Sequence, residues 1–126
     1  MMGNFKDLKV YQKSYRLAME IFFITKSFPS EEKYALTSQL RRSSRSVSRS
    51  IAEGYRKRRY PNHFISKMSD ADMENSETQV SLDYACSCGY ISQEVNHKLQ
   101  SISEEIGKML YHMMTHPEKY QSKGTN

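Results

Sequence analysis

Between Arg41 and Arg59 the chain carries Arg41, Arg42, Arg45, Arg49, Arg56, Lys57, Arg58 and Arg59 against a single acid, Glu53. At about 100° per residue, Arg41, Arg42, Arg45, Arg49 and Arg56 fall on one side of a helix. Leu36, Leu40, Val47, Ile51 and Tyr55 occupy the opposite arc. At about 1.5 Å rise per residue the arginines make a ribbon about 20 Å long. The acids that would stand four residues away on an ordinary solvated face are missing. Ser43, Ser44, Ser46, Ser48 and Ser50 fill its flanks. Such a ribbon has two chemical uses. Guanidinium forks match phosphate oxygens, helped from the surface by Lys57, Arg58 and Arg59, with serine hydroxyls adding neutral hydrogen bonds and Tyr55 and Tyr60 offering stacking surfaces for unpaired bases. Alternatively, the arginines pair with acids of another helix, another subunit or a protein partner. The run Asp70, Asp72, Glu74 and Glu77 supplies candidates. Both uses remain open on the residues alone. Adsorption to a lipid surface fits worse, because the apolar arc is needed for the protein's own core.

Other residue types capable of chemistry do not form a recognisable set. His112 and His116 stand four apart, but Met113-Met114-Thr115 between them lacks the glutamate of a metalloprotease helix. Among the histidines, His97 alone has a glutamate three residues before it, Glu94, whereas a di-iron bundle needs two such pairs. Cys86 and Cys88 point to different sides of a helix and lack the spacing and further ligands of a zinc site. The sequence contains neither a glycine-rich phosphate loop nor a nucleophile elbow. The expectation is a protein that is not an enzyme and that uses no cofactor and no metal.

These residues are positioned by helices. The 126 residues include only five Gly and three Pro, too few for the turns of an all-β domain. A first helix is predicted from about Lys6 to Ser27, stopping at Phe28-Pro29. A second runs from about Glu31 to Arg58, with Ser30 as its N-cap. Gly54 lies on its apolar arc, where it permits close approach of a neighbouring helix; the alternative is a helix end at Glu53. Tyr60-Pro61-Asn62 forms the next break. A third helix covers roughly Pro61 to Cys88, with Gly89 as C-cap. A fourth begins near Ser92, where Val95, Leu99, Ile102, Ile106, Met109 and Met113 alternate spacings of four and three, the seam of a bundled helix. The fold class expected is all-α, an antiparallel up-down-up-down four-helix bundle. It occupies residues 1–117, and a polar tail, 118–126, is expected to be disordered.

Nineteen Lys and Arg against fourteen Asp and Glu leave a net charge of +5. A surplus clustered on one helix favours nucleic acid, RNA or DNA, as partner. The N-terminus is polar and Ile21-Phe22-Phe23-Ile24 is too short to span a bilayer, so a soluble cytoplasmic protein is expected.

The segments Phe5-Lys6-Asp7-Leu8, Phe28-Pro29, Gln39-Leu40-Arg41-Arg42 and Ile51-Ala52-Glu53-Gly54 resemble a known family. It is the bacterial four-helix-bundle proteins encoded in intervening sequences of the 23S rRNA gene, labelled S23 ribosomal proteins. The likeness continues through Ala71, Glu77 and Gly89-Tyr90-Ile91 to Met113. It implies a ring-like homopentamer and kinship with the nucleic-acid-binding accessory protein of diversity-generating retroelements, which partners a reverse transcriptase. Arg41, Arg42 and Glu53 acquire importance by the same resemblance. Ser48 and Ser50 stand where the family commonly has proline and asparagine, and Met73-Glu74 replaces a usual Gly-Ser pair. Loss of the proline removes a kink and leaves the path of the second helix open, and the bulkier Met73 is expected to alter helix or subunit packing in the third.

Overall fold

The computed structural model describes residues 3–121. Four α-helices, α1 (Lys9–Thr25), α2 (Leu36–Arg56), α3 (Pro61–Ser87) and α4 (Gln93–Thr115), alternate in direction. Among the described residues there is no strand. Helix α1 packs against α2 and α4, and α3 packs against the same two, so α1 and α3 are diagonal in an up-down-up-down bundle. Ile21, Leu40, Ile51, Phe64, Met68, Leu82, Ile106 and Leu110 are fully buried along its axis. Each such side chain stabilises the fold by about 1.5–3 kcal/mol relative to exposure.

Two helix boundaries follow local chemistry closely. Gly89 adopts φ +79°, and Gly89 N–H donates to Cys86 O while Tyr90 N–H donates to Ala85 O. This double bond pattern closes α3 by satisfying carbonyls that the helix leaves open. Ser92 Oγ accepts from Val95 N–H at 3.0 Å and caps α4.

Other boundaries differ from expectation. Phe5–Asp7 is a separate 3-10 turn, capped by the Asn4 side chain, and extended Leu8 divides it from α1. Ser30–Glu32 is also a 3-10 turn, and Ala35, at φ −123° and ψ −102°, delays α2 to Leu36. The Glu32 carboxylate of that turn accepts from Leu36 N–H and from Tyr90 Oη. One acid thus caps α2 and ties it to the α3–α4 turn. Its hydrogen bond holds the Tyr90 phenol proton and pushes that pKa up to about 12. Helix α2 ends at Arg56, two residues early.

Pro117–Tyr120 forms a further 3-10 turn, contrary to the expected disorder from residue 118. The Tyr120 ring stacks on Phe64 of α3 at 5.8 Å, an apolar contact that composition cannot reveal. The rest of the expected tail, 122–126, lies outside the described residues.

Helix α2 runs through Ser48 and Ser50 without interruption. The serines of α2 face mostly inward, not toward a ligand: Ser43, Ser44, Ser48 and Ser50 are buried. Ser43 bonds Thr78 at 2.8 Å, Ser14 donates to Ser48 at 3.3 Å, and Ser44 donates to Leu40 O. Small hydroxyl residues let neighbouring helices approach α2 while satisfying their own polar atoms. Gly54 serves the same closeness: a Cβ there would lie 2.5 Å from Met68 Cε and 2.8 Å from Lys67 Cβ. Across the bundle, Asn75 Nδ2 donates to Ser103 O, and Ser103 Oγ donates to Asn75 Oδ1. This reciprocal pair fixes the register of α3 on α4.

Candidate nucleic-acid interface

The arginine ribbon of α2 does not remain one surface. Its members divide according to the helix beside each of them. Arg45 and Arg49 are exposed and line a groove of about 370 Å³ between α1 and α2, floored by Phe5, Tyr11, Tyr15 and Met19. On the other side of Tyr11 and Tyr15, Lys6 of the N-terminal turn and Arg16 of α1 border a second recess. Neither lining contains an acidic residue. Arg56 places its guanidinium 5.7 Å from the Phe5 ring at one end. Toward the other end, Arg41 and Arg45 lie over Phe22 at 4.9 and 5.9 Å.

Arg41 is partly committed to the fold. Its Nε donates to Thr25 Oγ1 at 2.8 Å, at the end of α1. Arg42 turns to the α2–α3 side and shares a groove with Glu74 and Glu77. Lys57 and Arg59 are exposed in the turn after α2. Arg58 departs from the expected surface position. It is only 5% exposed, donates to Tyr55 O at 2.9 Å, and lies over the Tyr55 ring at 4.0 Å. Helix α2 has ended before it, so the helical wheel no longer governs its direction. The same contact occupies Tyr55 as a stacking surface, whereas Tyr60 is exposed.

Intramolecular pairing does not account for the arginines. Among the described residues, the ion pairs are Lys13–Glu105, Lys67–Glu53, Lys67–Asp70 and Lys98–Glu20, and every cation in them is a lysine. These pairs show the acids of α1 and α2 on flanks other than the α1–α2 groove. Glu20 of α1 is drawn to Lys98 on α4, and Glu53 of α2 is drawn to Lys67 on α3. The second pair is strong enough, through its hydrogen bond, to raise the Lys67 pKa.

The α2–α3 side has opposite character. Hydrogen bonding of the protonated Glu74 carboxyl to Glu77, with burial and mutual repulsion, raises the Glu74 pKa to about 6, against the lowering pull of Arg42. Met73, Val80 and Tyr84 stand exposed beside them.

The aromatic floor escaped the sequence analysis. Its signal was an excess of large apolar residues on the first helix. Val10, Leu17, Ala18 and Ile21 suffice for a core stripe, with Tyr11 half-buried at its edge and Tyr15, Met19 and Phe23 left exposed. The remaining candidates make no ligand set. His112 and His116 stack at 4.5 Å, with His112 Nδ1 3.0 Å from Tyr120 Oη. Among the described residues no three His, Cys, Asp or Glu side chains are grouped to hold a metal ion. Cys86 and Cys88 are free thiols. No helix among the described residues is long and apolar enough to cross a membrane.

Fold and surface together define an all-α bundle with a cationic, aromatic groove on one flank. The model of the 23S rRNA-intervening sequence protein family matches residues 6–112, and the chain belongs to that family. It is similar to the 1.70 Å crystal structure of a protein of unknown function from the S23 ribosomal protein family of Bacteroides thetaiotaomicron. The two share 28% identity and a TM-score of 0.75, over 83% of this chain and 97% of the other. No curated protein matches the sequence.

Proposed function

We propose that this chain is a non-catalytic, homo-oligomeric nucleic-acid-binding accessory protein, holding RNA or DNA largely without regard to sequence. The observation that carries this reading is the α1–α2 groove, where Arg45 and Arg49 stand exposed in a lining without a single acid. Arginine forks there bind phosphate and release counterions, and phosphate contacts position a strand without reading bases. Arg56, Lys57 and Arg59 extend the cationic surface beyond the end of α2, and Arg42 extends it toward α3. Membership of a family encoded within rRNA genes is consistent with a nucleic-acid partner. The test is fluorescence anisotropy with labelled RNA and DNA at two salt concentrations. Affinity should fall steeply with salt, and Arg45→Ala with Arg49→Ala should reduce the log–log slope by about two units. An unchanged slope rules those two residues out as phosphate contacts.

A second reading draws on the other flank. Met73, Val80 and Tyr84 are exposed next to Glu74 and Glu77, a surface suited to a basic, apolar partner. In that reading the protein is an oligomeric scaffold, with its arginines pairing between subunits, as in the ring-like pentamer implied by the family resemblance. The Arg45→Ala, Arg49→Ala double variant separates the two on a sizing column. A scaffold dissociates, whereas a nucleic-acid binder keeps its assembly and loses only its ligand.

A further inference from the structure

The α1–α2 groove has a floor as well as rails, and the floor carries chemistry that phosphate binding does not require. Phe5 and Tyr11 meet edge to face at 5.1 Å, and Tyr11 and Tyr15 are tilted at 6.1 Å, so three rings follow one another along the groove. Tyr15 is 55% exposed, although its neighbours Ser14 and Ala18 are buried. Helix packing therefore leaves a large aromatic face in water beside Arg45 and Arg49, which make no ion pair among the described residues. Packed helices lie about 8–10 Å apart. A groove between two of them admits one strand; a duplex would rest on its rim, with its base faces already stacked on each other.

We infer that the groove takes single-stranded nucleic acid, with unpaired bases stacking on Tyr15 and its aromatic neighbours while Arg45 and Arg49 hold the adjacent phosphates. This rests on the nucleic-acid reading and adds the strand class to it. Stacking on an aromatic ring is worth about 1–3 kcal/mol per base and is indifferent to base identity. Arg56 against Phe5 marks where the strand leaves toward Lys57 and Arg59. Tyr15 thus supplies discrimination between strand classes, and the arginines supply general affinity.

The experiment compares a labelled single strand of about 12 nucleotides, a length within the usual span of stacking grooves, with a duplex of the same length at one salt concentration. Both are titrated with the wild type, Tyr15→Leu and Tyr15→Phe, whose helical content is checked by circular dichroism. The expected result is at least about tenfold tighter binding of the single strand. Tyr15→Leu should lose about tenfold for the single strand and nothing for the duplex, with Tyr15→Phe restoring wild-type affinity. Equal or tighter duplex binding, or a Tyr15→Leu variant that binds the single strand normally, overturns the stacking groove and leaves general nucleic-acid binding standing. Absence of binding to both probes at low salt overturns the nucleic-acid reading as well.

Discussion

On its α1 side, α2 lines a groove with Arg45 and Arg49 over aromatic rings; on its α3 side, it sets Arg42 opposite Glu74 and Glu77. The two grooves belong to one helix with one run of arginines, yet one is purely cationic and the other is mixed. The difference lies in the neighbours. Outward residues of α1 near the groove are aromatic, apolar or basic, and its acid Glu20 is turned away to Lys98. Outward residues of α3 include the acids that soften the charge of Arg42. A cationic ribbon acquires its character from the surface of the adjacent helix.

The comparison can be strained first through the spacing of the helices. Gly54→Val should force α2 from α3 against Lys67 and Met68 and cost about 1–3 kcal/mol of stability by urea unfolding. The folded fraction should still bind nucleic acid, because the α1–α2 groove lies on another flank. Charge reversal tests the grooves directly. Arg45→Glu with Arg49→Glu should weaken binding on the order of tenfold or more at low salt, whereas Arg42→Glu should have a clearly smaller effect. Equal losses at all three sites would abolish the distinction between the grooves. Gly89→Ala leaves both grooves intact while straining the α3–α4 turn at φ +79°; a loss of about 1–2 kcal/mol in thermal or urea unfolding is expected.

The smallest effect belongs to the mixed groove alone. Glu74 has its pKa raised from 4.5 to about 6, so between those values the folded chain binds more protons than the unfolded one. Its contribution to stability is complete below about pH 4.5 and is lost as pH rises through about 6. Glu74→Gln should flatten the stability profile in that window and leave nucleic-acid affinity nearly unchanged. A variant whose pH profile follows the wild type would show that the Glu74–Glu77 contact has no energetic weight.

Much of the architecture was legible in the residues. Pro61 and Gly89 bracket α3 because proline suits a helix start and glycine a left-handed end. The spacing in α4 identified Leu99, Ile106 and Met113, all buried, because a helix repeats its faces at fixed intervals. Gly54 was placed correctly at a close helix contact. Less accessible were the start of α2, preceded by Glu32 that accepts from Tyr90 across 58 residues, and the ordered turn at Tyr120, which stacks on Phe64. The burial of Arg58 is not legible in the residues, because its direction depends on where the helix stops.

The sequence by itself determined the four helices, their apolar faces and the concentration of arginine on one of them. Periodicity and capping are local properties, and local residues suffice to express them. Only the tertiary structure decided that four α2 serines face inward, that Arg45 and Arg49 share a groove with Tyr15 while Arg42 shares one with Glu74, and that the acids of α1 and α2 lie on other flanks beside lysines. Those outcomes depend on which faces of different helices become neighbours, a relation set by packing across the whole bundle.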